Sequence, residues 1–160
     1  MDVQIRSATS DDALALAALR LQQDRGRGHA PRPGFLDDYA AAFVAEIDDY
    51  HVWLAEQDDG RPVGCVLALR VRKLPTLVWD GRAEWWYVQQ VFVTPDRRRE
   101  GIARALLETV QQEARDQDVR HVLLSSSAAG RPLFEALGFH DPSPRLMEWV
   151  PPGSGDLFGA

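Results

Sequence analysis

One stretch of the sequence decides the fold: residues 91–107, which read VFVTPDRRREGIARALL. Its apolar start predicts a buried strand, its proline and three arginines predict a sharp basic turn, and the residues from Gly101 onward predict a helix. The first turn of a helix has backbone N–H groups without intrahelical partners, and the helix dipole places partial positive charge beside them. Gly101 has no Cβ to hold a ligand off, and Arg97, Arg98 and Arg99 add positive charge. The stretch therefore predicts a binding site for a diphosphate.

Two other phosphate-binding motifs are excluded by their spacing. A P-loop needs a lysine directly after its second glycine, and the single lysine of this chain, Lys73, lies far from any such loop. A dinucleotide fingerprint needs three glycines, and the turn at Gly101 has one. The alternative for Gly101 is an ordinary loop glycine at the start of a helix.

Two blocks of residues resemble the GNAT superfamily of N-acetyltransferases. Residues 98–103, RREGIA, fit the pyrophosphate-loop pattern Gln/Arg-x-x-Gly-x-Gly/Ala of that superfamily. Residues 131–139, RPLFEALGF, are similar to its late helix, which ends in Gly-Phe. The resemblance covers nearly the whole chain and is weakest between residues 20 and 50. It implies one α/β domain over residues 1–150, with a mixed central sheet of about six to seven strands flanked by about four helices, and a flexible tail at residues 151–160.

The hydrophobic pattern predicts the order strand, two helices, three strands, helix, strand, helix and strand. A capping box at residues 9–12 marks the start of the first helix. Aromatic residues recur at four-residue intervals from Phe35 to Phe43 and predict a second helix from about residue 36 to residue 48. The glycines, prolines and arginines of residues 24–34 predict an irregular, mobile basic loop. The later elements are predicted as strands at 51–56, 63–71, 85–93, 121–125 and 146–150, with a helix at 101–115 before the late helix.

Composition narrows the class of protein. The net charge of −6 argues against a nucleic-acid partner, because a phosphate-binding surface is normally basic overall. The single cysteine, Cys65, lies in an apolar run and is predicted as a buried, inert thiol, and no metal-ligand spacing is present. No apolar run is long enough to span a bilayer. We therefore expect a cytoplasmic protein with no metal, no nucleic-acid partner and no membrane partner, and a homodimer stays open.

The resemblance implies acetyl-CoA as the cofactor. It implies that the backbone of Val91 and Val93 pairs with the pantetheine arm, although both residues also suit an ordinary core strand. It further implies that phosphates bind the N–H groups of Arg99, Gly101, Ala103 and Arg104. The cofactor-binding residues implied in this way are Val91, Phe92, Val93, Arg98, Arg99, Glu100, Gly101, Ile102, Ala103, Arg104, Ser126 and Phe134.

The catalytic residues are harder to assign. Amine acetylation needs a neutral amine and then a proton for the departing thiolate. The family often donates this proton from a tyrosine, but Phe134 occupies that position here and has no proton to give. A pantetheine arm of roughly 15 Å along the strand places the thioester near residues 88–90. The candidates for catalysis are Tyr87, Gln89, Ser126 and Glu84.

Each candidate has an alternative. Glu84 lies beyond the expected thioester and equally suits a solvated carboxylate at a strand edge. Tyr87 and Gln89 share one strand face, and Gln90 faces the other side unless a bulge changes the alternation. The three serines at 125–127 either contact the thioester or relay a proton, or they form a polar connection that caps a helix.

Two further groups are candidates for contacts with the acceptor. The tryptophans Trp79, Trp85 and Trp86 either line an acceptor pocket or pack in the core. The loop residues either bind an acidic acceptor or the outer phosphate of the cofactor, or they form a solvated loop; these residues are Arg25, Arg27, His29 and Arg32.

Together these observations favour an N-acetyltransferase that moves an acetyl group from acetyl-CoA to a primary amine of a small molecule or peptide. The alternative is a domain that binds coenzyme A without turnover, as a sensor or a degenerate enzyme, and Phe134 is the reason to keep it.

Overall fold

The computed structural model describes residues 2–78, 83–142, 147, 149, 151 and 152. The chain divides into two compact units, Met1–Leu124 and Ser125–Ala160. The single-domain organisation and the flexible tail at residues 151–160 stay predictions.

The first unit holds a sheet and three helices. Its strands are β1 (Val3–Ser7), β2 (Tyr50–Gln57), β3 (Pro62–Arg72), β4 (Glu84–Val93) and β5 (Val122–Leu124). Its helices are α1 (Ala13–Gly26), α2 (Phe35–Glu46) and α3 (Ile102–Asp116). Short 3₁₀ turns lie at Ser10–Asp12, Ile47–Asp49 and Pro95–Arg97. The second unit holds α4 (Arg131–Ala136), so the predicted order is confirmed from β1 through α4.

The sheet is mixed, with the strands in the order β1-β2-β3-β4-β5. Neighbours from β1 to β4 are antiparallel, and β5 is parallel to β4. A parallel neighbour needs a crossover, which α3 supplies between β4 and β5. The described residues form five strands, so the expected six to seven is corrected to five for this part of the chain. The strand predicted at 146–150 lies largely outside the described residues, since residues 146, 148 and 150 are not among them.

The strands bury both of their faces, because helices cover the sheet on two sides. On one face, Val66, Trp86 and Val88 pack with residues of α3 such as Leu106 and Val110. On the other face, the strand residues pack with α1 and α2; these are Val52, Leu54, Cys65, Leu67 and Phe92, with Leu16 and Leu19 of α1 and Phe43 of α2. Cys65 is fully buried, as predicted, and burial raises the pKa of its thiol to about 12.

The first helix is longer than predicted. Residues 24–26 were assigned to the irregular loop, but α1 continues through them to Gly26. Beyond this last residue of the helix, the Gly28 N–H donates to the Arg25 carbonyl oxygen and the His29 N–H donates to the Asp24 carbonyl oxygen, both at 3.0 Å. These two bonds satisfy carbonyl groups at the end of a helix, so the second glycine of this segment stops α1 and the first does not.

The second unit explains the Leu-Gly-Phe sequence. Gly138 adopts a φ of 86°, and its N–H donates to the Glu135 carbonyl oxygen, while the Phe139 N–H donates to the Phe134 carbonyl oxygen. The rings of Phe134 and Phe139 meet edge to face with centroids 6.0 Å apart. A left-handed residue with this pair of bonds and an apolar contact across it forms a helix stop, which strongly favours glycine at position 138.

Candidate functional site

The strand β4 leaves part of one edge free. β3 pairs with the whole length of β4, whereas β5 pairs only with Trp86, Tyr87 and Val88. Within the described residues, no strand pairs with residues 89–93 on the β5 side. An unpaired strand edge offers N–H and C=O groups to an added extended chain. This open segment, residues 89–93, is called the free edge below.

A β-bulge marks the start of the free edge. Leu67 of β3 lies opposite Gln90, and Ala68 lies opposite Val88, so Gln89 is the extra residue. A bulge shifts the alternation of side chains by one position. Gln90 therefore faces the same side of the sheet as α1 and α2. This decides between the two directions that the sequence left open for its side chain. Tyr87, which alternates with the core residues Trp86 and Val88, faces this side as well.

The loop after β4 has an unusual backbone. Arg99 has a φ of 66°, which side chains other than glycine rarely adopt, and Gly101 has a φ of 86° directly before α3. Left-handed residues are a feature of the turns, called nests, in which successive N–H groups bind an anion. A Cβ built on Gly101 meets no atom within 4 Å, so the space beside it is open.

The N–H groups at the start of α3 have no hydrogen-bond partner in the part of the chain that the structure describes. The first helical bond runs from the Ala105 N–H to the Gly101 carbonyl oxygen at 3.0 Å. Among the described residues, the N–H groups of Ile102, Ala103 and Arg104 donate to no acceptor. They are thus free to bind an anion.

The arginines of the loop have different environments. Arg97 pairs with Glu100, with Nε 2.9 Å from Oε2, so both side chains are engaged. The Arg98 Nε donates to the Val93 carbonyl oxygen at 3.3 Å. The side chain of Arg99 is exposed. Positive charge thus remains next to the free N–H groups of the α3 start.

A cavity of about 320 Å³ opens beside the bulge. We call it the α2 cavity, because that helix contributes more of its lining residues than any other element. Its aromatic and amide lining consists of Phe35, Tyr39, Phe43, Tyr50, Gln89 and Gln90. The four-residue spacing that predicted α2 therefore also aligns one side of this cavity, a role that the sequence reasoning did not assign to these aromatic residues.

The charges around the α2 cavity do not balance. The Arg20 Nε lies 2.9 Å from the Asp24 Oδ2, so these two charges neutralise each other. Glu46 also lines the cavity and makes no ion pair within the described residues. Burial raises the pKa of Tyr39 to about 12, and burial together with the nearby Glu46 charge raises the pKa of Tyr50. Both phenols therefore stay neutral, and the cavity carries a net negative charge.

Gln90 is a buried amide with an unused donor. Its residue is 3% exposed, and among the described residues its Nε2 has no hydrogen-bond partner. Leaving a buried polar atom unpaired costs stability, and such atoms are rare in folded proteins. The side chain of Gln23, from α1, reaches the same strand, with its Nε2 3.5 Å from the Val91 carbonyl oxygen.

Glu84 is engaged elsewhere. Its carboxylate accepts hydrogen bonds from Arg70 at 3.0 and 3.1 Å and from the Trp86 Nε1 at 2.6 Å. Burial works against its ionisation, but these hydrogen bonds outweigh burial and hold the pKa of Glu84 below its ordinary value. Because Trp86 belongs to the core that faces α3, this network lies on the side opposite the α2 cavity. We therefore leave Glu84 out of the proposed site.

The other predicted contact residues separate into different places. Trp86 is fully buried in the core that faces α3, which decides its two alternatives in favour of core packing, and Trp79 lies outside the described residues. Trp85 is half-buried and does not line the α2 cavity. The Arg32 guanidinium pairs with Asp38 and lies 5.6 Å from the centre of the Phe35 ring. The exposed Arg25, Arg27 and His29 do not line the cavity either.

Two predicted site residues, Ser126 and Phe134, belong to the second unit. Both are half-buried. The neighbouring Ser127 accepts a hydrogen bond on its Oγ from the Gly130 N–H at 3.2 Å, just before α4 begins. That bond supports the helix-cap alternative for one of the three serines.

The family of the chain follows from comparisons with known proteins. The model of the acetyltransferase (GNAT) family matches residues 16–139. Human N-acetyltransferase 8 is 38% identical over 90 residues, which are 54% of this chain and 37% of the human protein. The matched part is thus little more than a third of that relative's length.

Solved structures share the fold. A predicted acetyltransferase from Clostridium acetobutylicum, solved with acetyl-CoA, has a TM-score of 0.75 at 21% identity and covers 92% of this chain and 96% of its own. A probable acetyltransferase has a TM-score of 0.77 at 20% identity, with 96% and 99% covered. A GCN5-related N-acetyltransferase from Ralstonia eutropha JMP134 has a TM-score of 0.68 at 19% identity, with 92% and 98% covered.

The mixed sheet with its free edge and the glycine-containing loop before α3, together with the family match, defines an acetyltransferase fold. The chain belongs to the GNAT acetyltransferase family, which uses acetyl-CoA as its cofactor. No helix within the described residues has the length and apolar character needed to cross a membrane. The cytoplasmic location stays a prediction.

Proposed function

We propose that this protein is an N-acetyltransferase that moves the acetyl group of acetyl-CoA to a primary amine of a small molecule or peptide. The observation that carries this proposal is the alignment of three features along β4 and the loop that follows it. These are the free N–H groups at the start of α3, the free edge of residues 89–93, and the α2 cavity at the bulge. The free N–H groups and the free edge suit acetyl-CoA, and the α2 cavity suits the amine.

The loop and the free edge suit the cofactor. The N–H groups of residues 102–104 and the open space beside Gly101 suit its diphosphate, with Arg98 and Arg99 as further cations. The free edge spans roughly 16 Å at the rise of a strand, which suits the extended pantetheine arm with its two amides. We therefore carry the predicted cofactor residues of the first unit forward as the proposed binding site.

In the reaction, acetyl-CoA supplies an acetyl group activated as a thioester. The nitrogen of a neutral amine forms a bond to the acetyl carbon, the carbon–sulfur bond breaks, the amine loses a proton, and the thiolate gains one. Tyr87 is the proposed proton donor in the first unit, since its side chain faces the side of the α2 cavity and burial raises its pKa, which keeps it protonated. Ser126 remains a second proposed donor.

The second candidate is a protein that binds coenzyme A and does not turn over. Phe134 favours it, because the family's usual donor tyrosine is missing there. A thiol-release assay over amines, amino acids, polyamines, aminoglycosides and peptides separates the two candidates, with coenzyme A affinity measured by calorimetry in parallel. Turnover with at least one acceptor supports the enzyme. Tight binding of coenzyme A without any turnover refutes the enzyme and leaves the binding protein.

A further inference from the structure

The register of β3 and β4 decides which backbone groups of the free edge face outward. In an antiparallel pair, residues that exchange hydrogen bonds with the partner strand alternate with residues whose N–H and C=O groups face away from it. The Thr94 N–H donates to the Val63 carbonyl oxygen at 2.9 Å, so the backbone of Thr94 faces β3. Val91 and Val93 lie at odd separations from Thr94 in an unbroken register. Their N–H and C=O groups therefore face away from β3, at the free edge.

Two side chains contact the outward carbonyl groups. The Arg98 Nε donates to the Val93 carbonyl oxygen at 3.3 Å, and the Gln23 Nε2 lies 3.5 Å from the Val91 carbonyl oxygen. Arg98 follows the strand directly in the loop before α3. Gln23 is 68 residues away from Val91 in sequence and belongs to α1. The first helix thus places a polar side chain on the edge that is proposed to bind the pantetheine arm.

The position of Gln23 on α1 keeps its side chain within reach of the sheet. Leu16 and Leu19, which are buried in the core between α1 and the sheet, precede Gln23 by seven and four residues. Residues at these separations share one side of a helix. The buried side of α1 therefore ends in an amide, at a position where the pattern of the helix calls for an apolar residue.

The contact of Gln23 with the strand is weak. Its N···O distance of 3.5 Å exceeds the usual range of about 2.7–3.2 Å for a hydrogen bond. Its Oε1 is buried and has no partner among the described residues. An unpaired buried oxygen costs stability, and this oxygen regains hydrogen bonds to water when the side chain turns outward. A better donor can therefore replace this amide at the Val91 carbonyl group.

The pantetheine arm of coenzyme A is such a donor. It is an extended chain with two amide groups, and an extended chain added to a strand edge pairs with the outward N–H and C=O groups of that edge. The carbonyl group of Val91 is one of these groups. Gln23 and the arm therefore compete for the same acceptor.

We propose that Gln23 is a cap of the free edge: its amide covers the Val91 carbonyl group in the ligand-free protein and gives way to the pantetheine arm when coenzyme A binds. The cap protects an open strand edge from pairing with another chain, and it weakens coenzyme A binding by the free energy needed to displace it. This inference rests on the cofactor site of the proposed function and adds a residue of α1 to it. Turnover and the identity of the acceptor do not enter it.

Two ligands and two variants test the cap by calorimetry. Coenzyme A carries the arm, whereas 3′-phosphoadenosine 5′-diphosphate keeps the diphosphate and lacks the arm. Gln23→Ala should bind coenzyme A about threefold more tightly than the parent protein, at the lower end of the effect of one hydrogen bond, and should bind the armless ligand with unchanged affinity. The matched control is Gln22→Ala, the same change at the exposed neighbour on α1, which should alter neither affinity.

Three results overturn the cap. They are an unchanged coenzyme A affinity in Gln23→Ala, an equal gain for the armless ligand, and weaker binding of coenzyme A, which would make Gln23 a contact of the bound arm. If Gln23→Ala does not fold, Gln23→Met keeps a long side chain and removes the amide, and the same affinities are expected of it.

NMR spectroscopy follows the cap directly. The side-chain N–H₂ signals of Gln23 are assigned by their absence from the spectrum of Gln23→Ala. Saturating coenzyme A should shift these signals, whereas the armless ligand should leave them in place and still shift the backbone amide signal of Gly101. Gln23 signals that do not move with coenzyme A overturn the proposal.

The cap and the cofactor site fail in different ways. If the parent protein does not bind coenzyme A, the cofactor site of the proposed function is refuted, and the cap with it. If the parent protein binds coenzyme A and Gln23→Ala gains no affinity, the cofactor site stands and the cap alone is refuted.

Discussion

Trp86 and Gln90 are four residues apart on the same strand, yet their side chains face opposite sides of the sheet. In a regular strand, residues at an even separation face the same side. The extra residue at Gln89 breaks that rule, so Trp86 packs toward α3 while Gln90 lines the α2 cavity. This one bulge separates a core position from a position in the candidate site.

The loop before α3 is tested by Gly101→Glu. The new carboxylate would occupy the open space beside the free N–H groups and repel a diphosphate, so we expect coenzyme A affinity to fall at least about tenfold. Calorimetry measures this affinity. The matched control is Gly60→Glu in the β2–β3 turn, because Gly60 has a φ of 79° and the same open surroundings. Both variants carry a similar backbone cost, on the order of 1 kcal/mol. Equal affinities in two folded variants would refute the proposed loop.

The missing hydroxyl is tested by Phe134→Tyr. The prediction applies if proton donation limits the rate and this ring lies at the reacting group. Turnover at saturating cofactor should then rise by as much as about a hundredfold, with little change in coenzyme A affinity. Phe139→Tyr adds the same hydroxyl to the ring in contact with Phe134, and it should give no gain. A folded Phe134→Tyr variant without increased turnover means that another group already supplies the proton or that chemistry is not limiting.

The buried amide of Gln90 has a consequence for stability. Gln90→Leu removes an unpaired buried donor and keeps a side chain of similar size, so the free energy of unfolding should rise by about 1 kcal/mol. Urea unfolding of the ligand-free protein measures the change. Gln89→Leu is the control, because that neighbour is exposed and its substitution should change stability by less than about 0.5 kcal/mol. A loss of stability in Gln90→Leu would show that the amide has a partner.

A pH effect is expected from His51 in β2. Burial and then the positive charge of Arg70 lower its pKa from the ordinary 6.5, and the charges of Glu84, Glu113 and Arg72 also act on the ring. As the pH falls below 6.5, His51 therefore binds a proton in the unfolded chain before it does so in the folded protein. Stability is fully present above that pH and decreases below it, down to the folded pKa.

Urea unfolding at pH 7.5 and pH 5.5 measures this effect. His51→Gln, which does not titrate, should show a smaller loss of stability between these two values than the parent protein. An identical loss in both proteins would contradict the assignment to His51.

Much of the fold could be predicted because its signals are local. The four-residue spacing from Phe35 to Phe43 indicated α2, and the alternation of apolar residues indicated the strands. Where two local signals compete, the prediction is wrong: the glycine pattern places Gly26 in a loop, but Gly26 is the last residue of α1, and the hydrogen bonds of Gly28 and His29 close the helix end. The glycine that ends a helix is the one at which backbone N–H groups donate back to the last carbonyl oxygens of that helix.

The loop before α3 and the α2 cavity differ in how much of them the sequence predicts. The loop is one continuous segment, so its composition and its glycine were enough to predict an anion-binding turn, and the structure adds the φ of 66° at Arg99. The α2 cavity joins residues from two helices and three strands. The sequence offers the tryptophans as candidates for an acceptor pocket, but Trp86 is in the core. The cavity is lined instead by Tyr50 and by Phe35, Tyr39 and Phe43, which the sequence pattern predicts only as one side of a helix.

The sequence by itself determined the order of the elements from β1 to α4 and the glycine-containing turn before α3, because each depends on residues that are neighbours along the chain. Only the tertiary structure decided that β5 pairs with β4 no further than Val88, that Gln89 is the bulged residue, and that Gln90 carries an unpaired donor beside an aromatic wall. Strand pairing and side-chain burial depend on residues distant in sequence, and a shift of one residue sends a side chain to the other face of the sheet.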